Sequence, residues 1–294
     1  MKNFTLDPGN ANVVFITIDS CRYDTAEQAH IPFLAGLGGL ACAYTPGNYT
    51  VPAHHAFFVG HLPTAFTSAQ PYYSGANGQL WRIKTGAGED SGAWVTLQGK
   101  NILEGYRNLG FYVLGVGGVT QFNKGSQLRE YFGQDFLYWG PNLDEEPCAS
   151  RPEEWFPLLH CGEIVDKLQP HEKWFLFVNC PETHFPYDTG EGLMEDKLEI
   201  LRLIRPHFNL RESDAPINTA ATGLLRRMQI KALEAVNTRI ANLFAALPRE
   251  RPILVVICGD HGEMFGEVFA GKPRFGHIIS SPEVLRVPLI IGWR

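Results

Sequence analysis

Apolar residues in this chain fall into short unbroken runs, separated by stretches with helical spacing. Residues 13–18 (Val-Val-Phe-Ile-Thr-Ile) are β-branched and aromatic throughout, and 111–116, 174–178 and 253–258 are similar apolar runs. That is the pattern of strands buried on both faces. Residues 287–291 (Val-Pro-Leu-Ile-Ile) predict one more strand, and 41–45 a short one. Helical periodicity covers 31–40, 101–108, 155–168 and 219–247, with Gly110 placed as a C′ stop and Pro248 closing the longest. Residues 63–92 are rich in Gly, Ser, Thr and Tyr and weakly periodic, which predicts a long surface excursion. Strands alternating with helices predict an α/β fold, a mostly parallel central sheet sandwiched by helices. No repeat, low-complexity tract or linker interrupts the pattern, so residues 1–294 are expected to form a single domain.

Composition narrows the function without naming it. The apolar fraction is 45% and the charged fraction 19%, ordinary for a globular protein. With 25 basic and 31 acidic residues the net charge is −6, so no overall field favours nucleic acid or an anionic membrane surface. An anionic substrate would need local positive charge from a metal, an arginine or a helix end. The six cysteines are scattered without a CxxC pair and read as reduced, buried thiols. The N-terminus has no apolar core of a leader, and no run approaches the ~18 apolar residues of a membrane span. A cytoplasmic protein is the expectation. Oligomeric state has no signature in the sequence.

Candidate chemistry gathers at the predicted strand ends, where ligands bind in open α/β sheets. Asp19 follows the first strand, and Asp260-His261 follow the run at 253–258, flanked by Gly259 and Gly262. His184 lies just past the run at 174–178, and Phe275-Gly276-His277 comes shortly after Glu263. Carboxylates and imidazoles converging on one edge suit a zinc- or manganese-type site. Thr50 stands two residues before Pro52 at the start of an apolar helical stretch. It is expected to be the N-cap, its hydroxyl beside the helix's positive end. A bound cation would lower the pKa of that hydroxyl.

In these stretches the chain resembles the alkaline phosphatase superfamily, and within it the sulfatase-like branch. The resemblance rests on 13–24, 50–63 with Thr-x-Pro-x-His, 184–187, Gly259-Asp260-His261-Gly262-Glu263 with Gly276-His277, and 286–291 (Arg-Val-Pro-Leu-Ile-Ile), in the family's order. It implies that Asp19, Asp260 and His261 bind a catalytic metal, which the nucleophile Thr50 also touches. It implies that His184 contacts the substrate's anionic group or leaving oxygen. His277 matches a position that ligates a second metal in two-metal members and contacts substrate in others. His54 takes the place of the sulfatase motif's arginine, where it would touch the phosphate or only shape the helix end. The chain stops just after 286–291, so most of the usual C-terminal subdomain is expected to be missing.

Departures from the sulfatase pattern redirect the chemistry. Formylglycine sulfatases need Cys or Ser at the nucleophile position, and Thr50 cannot become that aldehyde. The tandem aspartates of calcium sulfatases are Asp19-Ser20 here, the Asp-Asn pair is Asp260-His261, and Gly-Lys-Trp-His is replaced by Gly117-Gly118-Val119-Thr120. One or two zinc or manganese ions are therefore favoured over calcium. The expected activity is hydrolysis of a small phosphate mono- or diester through a phosphothreonine intermediate. The alternatives are a sulfatase or phospho-group transferase of the same superfamily, and a catalytically reduced member that binds an anion or a partner. Standing alone, Asp19 would read as a helix cap. His55, His61 and His160 read as structural or exposed, Glu263 and Glu267 as solvated or supporting. Glu182 and Asp188 could complete a second metal site, Lys272 and Arg274 could meet substrate charge, and the helix at 219–247 reads as packing.

Overall fold

The computed structural model describes residues 10–60, 101–140, 153–187, 202, 204 and 219–294. The excursion expected over 63–92, together with Asp188, His61 and Cys148, lies outside the described residues. The first half comprises β1 (Asn12–Ile18), α1 (Tyr23–Gln28), α2 (Pro32–Gly38), β2 (Ala41–Tyr44), α3 (Thr50–Val59), α4 (Ile102–Asn108) and β3 (Tyr112–Gly117). Then come α5 (Gln127–Glu130), β4 (Phe136–Tyr138), α6 (Cys161–Leu168), β5 (Trp174–Cys180) and the long α7 (Thr219–Ala246). The last elements are β6 (Ile253–Gly259), the pair β7 (Met264–Phe269) and β8 (Lys272–Gly276), α8 (Pro282–Leu285) and β9 (Arg286–Trp293).

Seven strands form one sheet in the order β2-β9-β6-β1-β5-β3-β4. The five from β6 to β4 run parallel, and β9 and β2 add antiparallel pairings at one end. The register matters for the site. Ile18 pairs with both Cys180 and Gly259, so β1, β5 and β6 end level. Whatever follows those three strands must meet at one point on the sheet's edge.

Side chains alternate across the sheet and build two unlike layers. Val14, Ile16 and Ile18, with Leu176, Val178, Val255 and Ile257, pack on Leu233, Val236, Ile240 and Phe244 of α7. Val13, Val113, Phe175 and Phe177 face the other way, onto Phe58, Leu103, Phe122, Phe132 and Phe136. Some rings there meet edge to face, Phe58 lying 5.2 Å from Phe177 at 81°, and others stack, as Phe122 does on Phe136 at 12°. Each such buried side chain contributes about 1.5–3 kcal/mol.

Three differences from the sequence reading have local causes. The helix expected over 155–168 is broken into 3₁₀ turns at 153–155 and 157–160 before α6 begins. Pro157 holds the preceding Phe156 extended (φ −98°, ψ 106°), which interrupts the helix. The β7–β8 hairpin was not expected because Glu267, Lys272 and Arg274 interrupt its apolar pattern. It turns through Ala270 and Gly271, both with positive φ, as a tight two-residue hairpin requires. The three-residue strand β4 is too short to leave a periodic signal.

Candidate metal and nucleophile site

The level strand ends bring Asp19, Asp260 and His261 together, all three fully buried. The Asp19 amide donates to the Cys180 carbonyl at 2.9 Å, extending the β1–β5 ladder by one step. Ser20 then turns into the left-handed region (φ 58°). That turn aims its amide at Asp260 Oδ1 (3.0 Å) and its hydroxyl at Asp19 Oδ1 (3.2 Å). Asp260 Oδ1 also accepts from the His261 amide at 2.8 Å. One serine thus clips the two carboxylates together. On the other side, Gly262 lies so close to the Glu283 carbonyl that any Cβ would collide with it. The glycine is a packing requirement, and it lets His261 lie over the strand ends.

The donor set is arranged for a cation. His261 Nδ1–H donates to the Gly262 carbonyl (2.9 Å), leaving Nε2 with its lone pair. That Nε2 lies 3.6 Å from Asp19 Oδ1, 3.6 Å from Asp260 Oδ2 and 3.5 Å from Thr50 Oγ1. Asp260 Oδ2 is buried and accepts no hydrogen bond from any described residue. Burial, and then the neighbouring Asp19 carboxylate, push the Asp260 carboxyl well above the usual carboxylate range. Acceptors converging in a space without water are costly unless a positive charge sits among them. The residues present therefore fit a divalent metal. One imidazole nitrogen, carboxylate oxygens and a hydroxyl suit zinc or manganese better than calcium's all-oxygen preference.

Thr50 reaches this cluster, but not as an N-cap. The helix α3 begins at Thr50 itself, and Tyr49 (φ −165°, ψ 172°) occupies the cap without a side-chain capping bond. Thr50 sits in the first turn, where its hydroxyl is not engaged in capping and faces His261. Pro52 fits the same turn because no partner exists there for an N–H.

His54 does not sit where a substrate could touch it. Its ring is fully buried among Phe57, Phe58, Phe122 and Phe177. Nδ1–H donates to the Thr50 carbonyl at 2.7 Å, one helical turn back. Nε2 then accepts from the Thr17 hydroxyl at 2.9 Å, and Asn179 Nδ2 donates to that hydroxyl at 3.3 Å. Burial holds His54 neutral, with a pKa of about 4. The expectation of a phosphate contact gives way to a buried brace beneath Thr50.

His184 and His277 flank the cluster from the solvent side. The His277 ring lies 4.6 Å from that of His261 and 5.4 Å from that of His184, centre to centre. His184 Nδ1–H donates to the Phe185 carbonyl at 2.7 Å. His277 Nδ1 lies 3.5 Å from Glu263 Oε1, and the Tyr187 hydroxyl donates to Glu263 Oε2. Glu263 is therefore no solvated residue: it is buried at 1% exposure and holds His277. Burial alone would raise its pKa, but His277, the charge of His184 and the Tyr187 hydroxyl outweigh that and lower it. The other candidate carboxylate near His184, Glu182, is buried against Arg239 Nη1 at 2.9 Å, away from the metal donors. Glu267 pairs with Arg22 (2.6 Å) and Arg226 (3.5 Å). Arg274 is buried on β8 and Lys272 partly so.

Sequence reasoning missed Tyr187 and Gln229, which carried no signal. It left Glu263 as solvated or supporting, and the contact with His277 is the supporting role.

No family model matches the sequence, and no curated protein matches it. Solved structures do. Proteins of the alkaline phosphatase superfamily superpose on nearly the whole chain. The fold is that superfamily's. The C-terminal periplasmic domain of EptC from Escherichia coli, solved in complex with zinc, matches with TM-score 0.57 and 12% identity over 96% of this chain and 72% of its own. A 2-O glycosaminoglycan sulfatase matches with TM-score 0.59 and 14% identity over 96% and 64%. The phosphonate monoester hydrolase of Agrobacterium radiobacter matches with TM-score 0.55 and 15% identity over 96% and 68%. The chain thus has an alkaline-phosphatase-like fold and spans about two thirds of these neighbours' length. Among the described residues no helix is long and apolar enough to cross a membrane.

Proposed function

We propose that the protein is a metal-dependent hydrolase of small phosphate esters, with Thr50 as nucleophile. The observation that carries this reading is the convergence of Thr50 Oγ1, His261 Nε2 and the Asp19 and Asp260 carboxylates, one oxygen of Asp260 having no donor among the described residues. Asp19, Asp260 and His261 would hold a zinc or manganese ion, with Thr50 beside it and His277 adjoining. Bound there, the ion would acidify the Thr50 hydroxyl and supply the positive charge that the net charge of −6 lacks.

The chain's own groups supply the rest. Thr50 Oγ1 attacks phosphorus in line, forming phosphothreonine and expelling the ester oxygen. The first-turn amides of α3 face the equatorial oxygens, where the helix's positive end favours anionic charge. His184 or His277 hands a proton to the leaving oxygen, and Glu263 fixes the orientation of His277. Water then attacks the phosphothreonine and restores Thr50. An acceptor alcohol in place of water would make the enzyme a transferase. That second reading is supported by the phosphoethanolamine transferase from Neisseria meningitidis among the fold's neighbours.

Thr50 also argues against formylglycine-type sulfatase chemistry. Residues 1–294 act as a single catalytic domain in this proposal. The E. coli neighbour is a periplasmic domain, which differs from the cytoplasmic expectation, and cell fractionation decides between the two. The activity is tested with aryl phosphate monoester, diester, phosphonate and sulfate substrates, with added zinc, manganese or calcium. Phosphorus ester turnover with zinc or manganese is expected. Turnover of sulfate alone, with calcium, would overturn the reading.

A further inference from the structure

We infer that Gln229, on the face of α7 turned to the sheet, is a positioning residue that sets the spacing between the metal donors and the His184 loop. The inference rests on the proposed metal site and concerns what holds it in shape. Gln229 is fully buried, and its amide is completely used. Nε2 donates to the Ser20 carbonyl at 2.8 Å and to the Thr183 carbonyl at 3.1 Å. Oε1 accepts from the Thr25 hydroxyl at 2.7 Å. Two carbonyls can only accept, so the orientation of the amide is fixed by its partners.

Those partners belong to the two loops of the site. Ser20 is the residue that donates to both Asp19 and Asp260. Thr183 immediately precedes His184, and its hydroxyl donates to the Asp19 carbonyl at 2.5 Å. Gln229 therefore joins the loop after β1 to the loop after β5 through one side chain. It is carried on a 28-residue helix packed along the sheet, which makes it a rigid reference point. Other polar residues of α7 face the same side of the fold: Arg226 pairs with Asp24, Arg239 with Glu182, and Asn237 accepts from the Leu34 amide. Gln229 alone among these four bonds to the Ser20 turn. Groups that orient metal ligands typically change metal affinity or activity by about 10–100-fold when removed.

The test titrates the metal-free full-length protein with zinc against a chelator, and measures kcat and KM with an aryl phosphate, at a temperature where circular dichroism shows each variant folded. Gln229→Met keeps length and apolar bulk but loses every hydrogen bond. Gln229→Glu puts oxygen where nitrogen was and sets it against the two carbonyls. Both are expected to weaken zinc binding about tenfold or more and to lower kcat more than they raise KM. Asn237→Leu, on the same helix but bonded to the Leu34 amide of α2, is expected to lower the melting temperature and leave zinc affinity unchanged. Should both Gln229 variants fail to fold, Thr25→Val removes only the group that orients the amide, and is expected to weaken zinc binding by a smaller factor. Zinc affinity and kcat equal to the unsubstituted protein's, in any folded Gln229 variant or in Thr25→Val when neither folds, overturns the inference. Zinc binding without phosphate ester turnover by the unsubstituted protein would instead overturn the proposed activity and leave the inference to be judged on zinc alone. Binding of neither zinc nor manganese by the unsubstituted protein overturns both.

Discussion

The two halves of the site are built by different means. Asp19, Asp260 and His261 sit one or two residues past strands whose ends are level, and backbone amides clip them in place. They are fully enclosed. His184 and His277 stand on loops, partly open to solvent, and depend on side chains such as Glu263 and Tyr187 brought from elsewhere. The sheet itself makes the metal half. The imidazole half is assembled by contacts between loops, and its geometry is correspondingly easier to alter. Under the proposed phosphoryl transfer that division would be functional: the nucleophile needs a fixed charge, while the leaving-group side must adapt to a substrate.

The largest effect should come from the metal half. Thr50→Ala is expected to reduce kcat by about 10⁴-fold or more while the protein stays folded and still binds zinc, since nucleophile removal in other enzymes costs of that order. Steady-state kinetics beside a zinc titration checks it. Gly262→Ala should come next, because its Cβ would collide with the Glu283 carbonyl and displace His261. Zinc binding and melting temperature should both fall, measured by chelator competition and calorimetry. On the imidazole side the effect should be smaller and different in kind. Glu263→Gln is expected to lower kcat/KM about 10–100-fold with zinc affinity within a few-fold of the unsubstituted protein. A large loss of zinc affinity in Glu263→Gln would erase the distinction between the halves.

Those contrasts explain which parts were legible in the sequence. Asp19, Asp260 and His261 could be found because an apolar run ending in a polar residue marks a strand's carboxyl end. Glu263 stayed open between solvated and supporting because one acidic residue in a loop looks like any other, and its partner Tyr187 lies 76 residues away. Gln229 was read as part of a packing helix because a polar side chain on a long helix usually faces water. Its partners Ser20 and Thr183 lie 209 and 46 residues distant. For His54 two roles stood open, touching the phosphate or shaping the helix end. Its position after Thr-x-Pro allowed both, but the aromatic layer made by Phe58, Phe122 and Phe177 encloses it and leaves the second, and no local pattern encodes that layer.

The brace beneath Thr50 yields the smallest prediction, one of stability. His54 has a folded pKa of about 4 against an ordinary 6.5, so between those values the unfolded chain binds the proton and the folded one does not. Stability attributable to this group is intact above pH 6.5 and is lost as pH falls toward 4, by about 2 kcal/mol between pH 7 and 5. Urea melts at the two pH values measure it. In His54→Leu that part of the pH dependence should vanish, while overall stability drops because the Thr50 carbonyl and Thr17 hydroxyl lose a partner.

The central claim is that Thr50, beside a metal held by Asp19, Asp260 and His261, attacks phosphorus. The most direct measurement is acid quenching of the zinc-loaded protein during turnover of an aryl phosphate, followed by mass spectrometry of the peptide containing residue 50. The account predicts one phosphoryl group on Thr50, absent from the Asp260→Asn protein. Turnover with Thr50 unmodified, and retained in Thr50→Ala, would contradict it.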